Sequence, residues 1–361
     1  MRSTLSLVHR WLGGLVGLGL AVLGLTGAAL LWKPWWAGVA QNARVPTDAE
    51  TLAIIAGAGK IGARNVTLPS PEFGVAQAGL PHGGGAYIGH DGALLARWGS
   101  SWDRPETFLF DLHHHLLMGE TGELITGWLG IAAAAFTITG LILWWPTRRT
   151  FRLRPLPPRF TRPAVILHHR DIGVVLALPI LLAGLTGAMM VLKPLGMALL
   201  APLSPSGEVS AWQAKPDLPT NTLAPDWPRL LAAAHTRFPD GETRMIIWPR
   251  EPGDPFTIRM RRPQEWHPNG RTTLNLAGDG TVLLARDAPA APLAVRANNA
   301  LYPLHSARMA DSAMALPLRI VMTLAGLGLA LLGSLAVVTF WRARMPARST
   351  TPMIPQGLGA G

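Results

Sequence analysis

The sequence predicts a mainly α membrane protein, with four transmembrane helices in a bundle and small α+β regions outside the bilayer. Three observations carry this. First, four apolar stretches lie near 12–31, 124–145, 172–192 and 320–341. Each approaches the roughly 20 apolar residues that span a hydrocarbon core about 30 Å thick. Second, two long polar segments separate them, in which turn signals and short alternating runs replace apolar continuity. Third, the first and third stretches share one plan. Leu25-Thr26-Gly27-Ala28 and Lys33-Pro34 align with Leu185-Thr186-Gly187-Ala188 and Lys193-Pro194. In that register His9 falls on His169, Arg10 on Arg170 and Gly13 on Gly173.

The chain divides in order into a first transmembrane helix (1–34), a first outer region (35–112) and a second helix (113–147). An Arg/Pro-rich loop (148–164), a third helix (165–194) and a second outer region (195–304) follow. A fourth helix (305–344) and a tail (345–361) complete it. A basic start followed by an apolar run resembles a secretory signal. The matching third helix, far from the N-terminus, argues that the first is kept. Trp35 and Trp36 mark its outer interface. In the first outer region 49–58 reads as a short helix and 85–97 as a hairpin turning at Asp91-Gly92. Such a Gly-rich segment is marginal alone and is expected to pack on the second outer region or on the helix ends. Trp144, Trp145 and Pro146 close the second helix. Pro155, Pro157, Pro158 and Pro163 keep the following loop extended. Pro179 predicts a kink in the third helix, whose freed carbonyl must be satisfied within the bundle. In the second outer region 227–238 reads as an amphipathic helix. Runs 243–248, 256–261, 271–276 and 281–285 read as strands, with a turn at Asp279-Gly280.

Basic residues set the expected orientation. Arg148, Arg149, Arg152, Arg154, Arg159 and Arg162 crowd the loop, Arg342, Arg344 and Arg348 follow the last helix, and Arg2 and Arg10 flank the start. Both termini and this loop are therefore expected in the cytoplasm, and much of the net charge of +11 reports topology rather than nucleic-acid binding. The absence of cysteine excludes disulfides, iron–sulfur clusters, thiolate metal sites and covalent c-type haem. No phosphate loop, dinucleotide fingerprint or His-Glu-x-x-His occurs, so a nicotinamide or flavin site is not expected here.

Eleven histidines remain. His9 and His168/His169 lie at the inner ends of the first and third helices. His113/His114/His115 and His305 lie at the outer ends of the second and fourth. Neutral imidazole is an axial ligand for haem iron, and two from facing helices hold a non-covalent b-type haem without thiolates. The expectation is two bis-histidine haems, one per side of the membrane. A divalent ion such as zinc is the alternative. The neighbouring glycines allow close approach of a backbone or of a flat macrocycle. Arg10 and Arg170 are placed either to pair with haem propionates or simply as topology signals. Adjacent helical residues point apart, so only one or two members of the 113–115 triplet are expected to face inward. His267-Pro268-Asn269-Gly270 has turn chemistry, and Arg259, Arg261, Arg262 and Arg271 are expected to form a basic surface suited to an anionic chelate.

The ordered motifs resemble the PepSY-associated transmembrane helix family, iron-regulated inner-membrane proteins that include ferric-siderophore reductases. They are His9-Arg10-Trp11-Leu12-Gly13, the two Leu-Thr-Gly-Ala repeats, 112–122, Trp144-Trp145-Pro146, 267–270 and Leu304-His305-Ser306. The resemblance covers nearly the whole chain. It implies PepSY-like periplasmic regions, b-type haem with His9, His113, His169 and His305 as ligands, and reduction of a ferric chelate or siderophore at the periplasmic face. Electrons would come from a separate cytoplasmic or membrane donor. The sequence departs from the family pattern at Ala307, where a glycine is usual. A non-redox PepSY module that binds or regulates a periplasmic partner is the alternative. A repeat-built carrier is a third reading, opposed by the lack of mid-membrane ionisable residues.

Overall fold

A computed structural model describes residues 2–344 apart from 155, 156, 158, 215–219, 221, 222 and 311. The expected tail with Arg348, and Pro155 and Pro158 of the loop, lie outside the described residues. The chain opens with α1 (Arg2–Leu30), the short α2 (Lys33–Trp36) and α3 (Asp48–Lys60). The latter is started by a capping box between Thr47 and Glu50. Strands β1 (Asn65–Thr67), β2 (Ala76–Gly79), β3 (Gly85–Ile88) and β4 (Leu94–Trp98) follow. Gly92, at φ +79°, makes the β3–β4 turn that Asp91-Gly92 predicts. Then come α4 (Pro105–His115), α5 (Gly119–Trp144), α6 (Arg162–Val175), α7 (Ala177–Val191), α8 (Lys193–Leu200), α9 (Ser206–Gln213) and α10 (Trp227–Arg237). Strands β5 (Glu242–Ile247), β6 (Phe256–Arg261), β7 (Thr272–Leu276) and β8 (Val282–Arg286) lead to α11 (Leu293–Ser306) and α12 (Ala315–Arg342).

Among the described residues three helical segments, Thr4–Leu30, Gly119–Thr150 and Ala315–Arg342, are long and apolar enough to cross a membrane. The expected third span is not one straight helix: α6 and α7 pass the same test only together, bent by 69°. The break falls at Leu176 (φ −93°, ψ 4°). Pro179 explains it, because proline cannot donate to the carbonyl four residues earlier and its ring collides with that group. The kink therefore appears one turn before the residue that causes it.

Glycines set the close helix contacts, as small residues do in lipid-facing bundles. Along α1 and α12, a Cβ added to Gly24 would stand 2.4 Å from the Gly326 carbonyl. Between α5 and α7, a Cβ on Gly130 would stand 2.7 Å from the Gly184 carbonyl. Gly24 and Gly184 are equivalent in the repeat, so the two pairs are built on the same contact.

All eight strands form one antiparallel sheet in the order β4-β3-β2-β1-β5-β6-β7-β8. Each outer region supplies a helix and four strands, and the halves meet where β1 pairs with β5, Val66 opposite Ile246. Helices α3 and α10 cover one face. Ile54, Ile55 and Ala58 of the first, with Leu230, Leu231 and Ala234 of the second, bury against Val66, Ile246, Ile258, Met260, Leu274 and Leu276. Period-two alternation puts Arg259 and Arg261 of β6 on the opposite face. Buried Arg244 fastens the seam, its guanidinium donating to the Leu68 (3.0 Å), Pro69 (2.5 Å) and Pro268 (3.1 Å) carbonyls. Glu72, in the first outer region, ties the sheet to the helices by pairing with Arg319 of α12 (2.6 Å) and with Arg308 (3.4 Å).

Candidate functional site

At the end of α1 away from the sheet, α1 and α6 bring His9 and His169 together, ring centroids 6.4 Å apart and planes at 89°. Thr139 of α5 spends its hydroxyl proton on the Ala135 carbonyl (2.8 Å). The 2.8 Å contact with His9 Nδ1 is therefore donated by the ring. That fixes the neutral tautomer and leaves Nε2 with its lone pair. Phe136 packs edge-on against the His9 ring at 5.2 Å. Both imidazoles line a cavity of about 490 Å³ between α1, α5, α6 and α12, with Gly13, Gly17 and Gly173 in its wall. Arg10 and Arg170 also line it, as do Arg162 and Arg344, whose part the sequence reading had assigned only to topology. The Arg170 guanidinium is already held by Asp171 (2.7 Å) and by the Thr150 hydroxyl and carbonyl (3.0 Å each). His168 turns the other way: fully buried, it donates Nδ1–H to the Arg154 carbonyl at 2.8 Å. Asp171 is fully buried between Arg154 and Arg170 and pairs with both.

At the sheet end, α4 and α11 bring His113 and His305 to 6.2 Å between centroids, planes at 43°. Each ring lies on one of the duplicated helices. His113 Nδ1 is 3.0 Å from the Thr26 hydroxyl, and His305 Nδ1 is 3.2 Å from the Thr186 hydroxyl. Both hydroxyls donate backward, to the Val22 and Leu182 carbonyls, so the rings must donate to them. The Ala183 carbonyl (3.1 Å) is a second acceptor for His305. Leu23, its counterpart in the repeat, makes the corresponding backbone contact with His113. Beside each threonine is the glycine that makes room. A Cβ on Gly27 would meet His113 Cε1 at 3.0 Å, and one on Gly187 would meet His305 Cε1 at 2.9 Å. The Leu-Thr-Gly-Ala repeat is thus a shelf for an imidazole. Its spacing was visible in sequence, but the role of its threonine was not read there.

The supporting helices end alike. Leu116 (φ +48°) follows α4 and Ala307 (φ +49°) follows α11, both left-handed. That conformation explains why glycine suits position 307; here a buried alanine takes it, packed with Leu31 and Met322.

Above the second pair, the 267–270 turn is drawn onto α11 by His267, which stacks on Tyr302 at 4.9 Å, one turn before His305. His267 Nδ1 accepts the Asn269 N–H (3.1 Å). Burial, then the charges of Arg271, Arg259 and Arg308, hold its pKa down to about 2. The expected four-arginine surface is only half available. Arg261 pairs with Glu242 (2.5 Å), and Arg262 with Asp240 (2.7 Å) and Asp287 (2.9 Å). The field concentrates instead where Arg259, Arg271 and Arg308 surround His267.

Adjacent in the last turn of α4, His114 and His115 nevertheless bring their rings together. The helix ends at His115, and their ring centroids are 4.4 Å apart. Among the described residues they form, with Glu123, a group able to hold a metal ion.

Fold and site define a membrane protein with two helix-borne imidazole pairs and one antiparallel sheet. A model of the family described as PepSY-associated TM region matches residues 6–344. The chain belongs to that family. No protein with a curated description matches it.

Proposed function

We propose that this chain is a haem-dependent inner-membrane oxidoreductase passing electrons across the membrane to a periplasmic ferric chelate, in the manner of a ferric-siderophore reductase. In this reading α6–α7 is the third span, broken at its middle, and α1, α5, α6–α7 and α12 form a four-helix bundle. The termini and the Arg-rich loop face the cytoplasm, and the sheet is a PepSY-like periplasmic unit.

The spacing of the imidazole pairs carries the reading. Two imidazoles bound to one metal at about 2.0 Å, with about 1.1 Å from each nitrogen to its ring centre, can have centroids at most roughly 6.2 Å apart. The pairs stand at 6.4 and 6.2 Å. Three of the four rings have Nδ1 committed as a donor, the outer contact that orients a metal-bound histidine. The cavity beside His9 and His169 falls within the about 300–1,000 Å³ of small-molecule and cofactor sites. The residues therefore fit b-type haem: His9 and His169 would hold one, His113 and His305 the other. Arg10, Arg162, Arg170 and Arg344 provide positive charge for carboxylates at the cavity wall.

Bound haem supplies one-electron chemistry; the protein supplies the ligands, their tautomers and the separation of the two sites. His9 and Thr26 are 17 positions apart on α1, about 26 Å of helix rise, so the pairs lie near opposite faces of the hydrocarbon core. Arg259, Arg271 and Arg308 would draw an anionic chelate toward the periplasmic pair, and a separate cytoplasmic or membrane donor would feed the other.

Purification in mild detergent tests this. The expected protein carries two b-type haems per chain, reducible by dithionite and reoxidised by a ferric chelate. A folded, colourless protein from haem-replete cells would instead support a non-redox module that binds a periplasmic partner.

A further inference from the structure

We propose that His114, His115 and Glu123 form a binding site for a divalent first-row transition-metal ion beside the His113/His305 pair. As a resting place for Fe(II) released from a reduced chelate, it rests on the reductase reading; as a metal site it stands on its own geometry.

One potential ligand atom from each residue lies within 4.8 Å of the others. His114 Nδ1 and His115 Nε2 are 3.0 Å apart. Ligands sharing one ion at about 2.0–2.1 Å stand roughly 2.9–3.4 Å from each other, so the two rings are already at ligand spacing. Glu123 approaches from α5 and brings a carboxylate oxygen within 4.8 Å of the ligand atoms of both rings. Two imidazoles and one carboxylate, with positions left open, are the donor set of non-haem Fe(II) centres, and imidazole also suits zinc, copper and nickel.

The groups behind the ligands favour a built site over a chance cluster. His115 Nδ1 contacts the Asp111 carboxylate at 2.8 Å, one turn back. Asp111 in turn accepts the Ser101 hydroxyl at 2.8 Å. A carboxylate behind a histidine in this way fixes its tautomer and raises its basicity toward a metal. His114 is stacked on Phe110, centroids 5.4 Å apart and planes within 9°. The α4–α5 corner is closed tightly. Thr126 of α5 donates to the His114 carbonyl at 3.0 Å, and a Cβ on Gly122 would fall 1.5 Å from the His115 carbonyl. Gly122 thus lets the start of α5 lie against the His115 carbonyl, one residue before Glu123. All three side chains keep about a third of their surface exposed (29–36%), so an ion can enter and leave.

Because His113 is the preceding residue, the ion would be held next to the imidazole pair proposed as the electron exit. Fe(II) released there meets imidazole nitrogen, which it accepts more readily than the hard oxygen donors that favour Fe(III).

Anaerobic titration of the full chain in detergent with Co(II), read by its visible absorption, and then with Fe(II) tests the site. One equivalent should bind, and His115→Ala and Glu123→Gln should each weaken binding at least tenfold. Asp111→Asn, which loosens His115 without removing a ligand, should weaken it by about 10–100-fold. The haem spectrum should be unchanged in all three variants. Lack of uptake by the wild-type chain would overturn the proposal, as would undiminished uptake by both His115→Ala and Glu123→Gln. A chain that binds Co(II) here but reduces no ferric chelate would keep the metal site and lose the reductase reading.

Discussion

The two imidazole pairs share a spacing but not a construction. His9 and His169 are carried by the duplicated helices themselves, at the end where His-Arg is repeated. His113 and His305 come from other helices and lie on the duplicated ones, each against a threonine and a glycine. One repeated helix thus serves both pairs: its first turns supply one imidazole and its last turns seat another from a neighbouring helix. The His9 pair opens into a cavity and has one identified anchor, Thr139. The rings of the His113 pair are anchored twice each, by hydroxyl and carbonyl, and pressed onto glycine. The comparison teaches that a duplication can preserve a pair of sites by preserving one helix, while the residues meeting it come from unlike segments.

The largest effect that would break this comparison is a side chain on the glycine shelf. Gly27→Val and Gly187→Val put atoms where His113 and His305 Cε1 now lie, within 3.0 Å of the first added carbon. Each should abolish cofactor at the sheet end and spare the other site, as counted by haem per chain. Equal loss from both sites would show the shelf to be general packing. A smaller effect separates the anchors. Thr139→Val removes the identified acceptor for His9 and should weaken that site by about 10–100-fold. Thr26→Val and Thr186→Val leave a carbonyl acceptor for each ring and should cost less. Cofactor-dissociation titrations rank them; the reverse order would contradict the anchoring scheme.

The smallest effect lies in the turn above the second pair. His267 is held neutral in the folded protein, at a pKa of about 2 against an ordinary value of 6.5. Between those values the unfolded chain binds the extra proton, so stability falls as pH drops from about 6.5 toward 2. Thermal melts of wild type should therefore lose ground on acidification from pH 7 to 5 relative to His267→Asn. Parallel curves would show that His267 contributes no such dependence.

Much of this was legible in the sequence because it rests on spacing. The repeat aligned His9 with His169, apolar length marked the spans, and alternation placed β6 at 256–261 without error. His9 meets His169 and His113 meets His305, while His114 and His115 also come together. Long-range seams were not legible. Strand β2 is Ala-Gln-Ala-Gly, without β-branched or aromatic residues, and β1 has three residues, so neither announces itself. Their pairing is what merges two apparent outer regions into one sheet. Helix α11 contains Pro303, which hid its last turn. The turn that carries α5 and Glu123 back toward His114 and His115 has Leu116 and Leu117 at positive φ, a conformation that no local propensity of non-glycine residues predicts.

Haem content of single histidine variants tests the central claim most directly. His9→Ala and His169→Ala should each leave one haem per chain with the same residual spectrum. His113→Ala and His305→Ala should share a different residual spectrum, and His168→Ala and His114→Ala should keep both haems. Six variants with unchanged haem content, or a loss that follows His168 or His114 instead, would contradict the account.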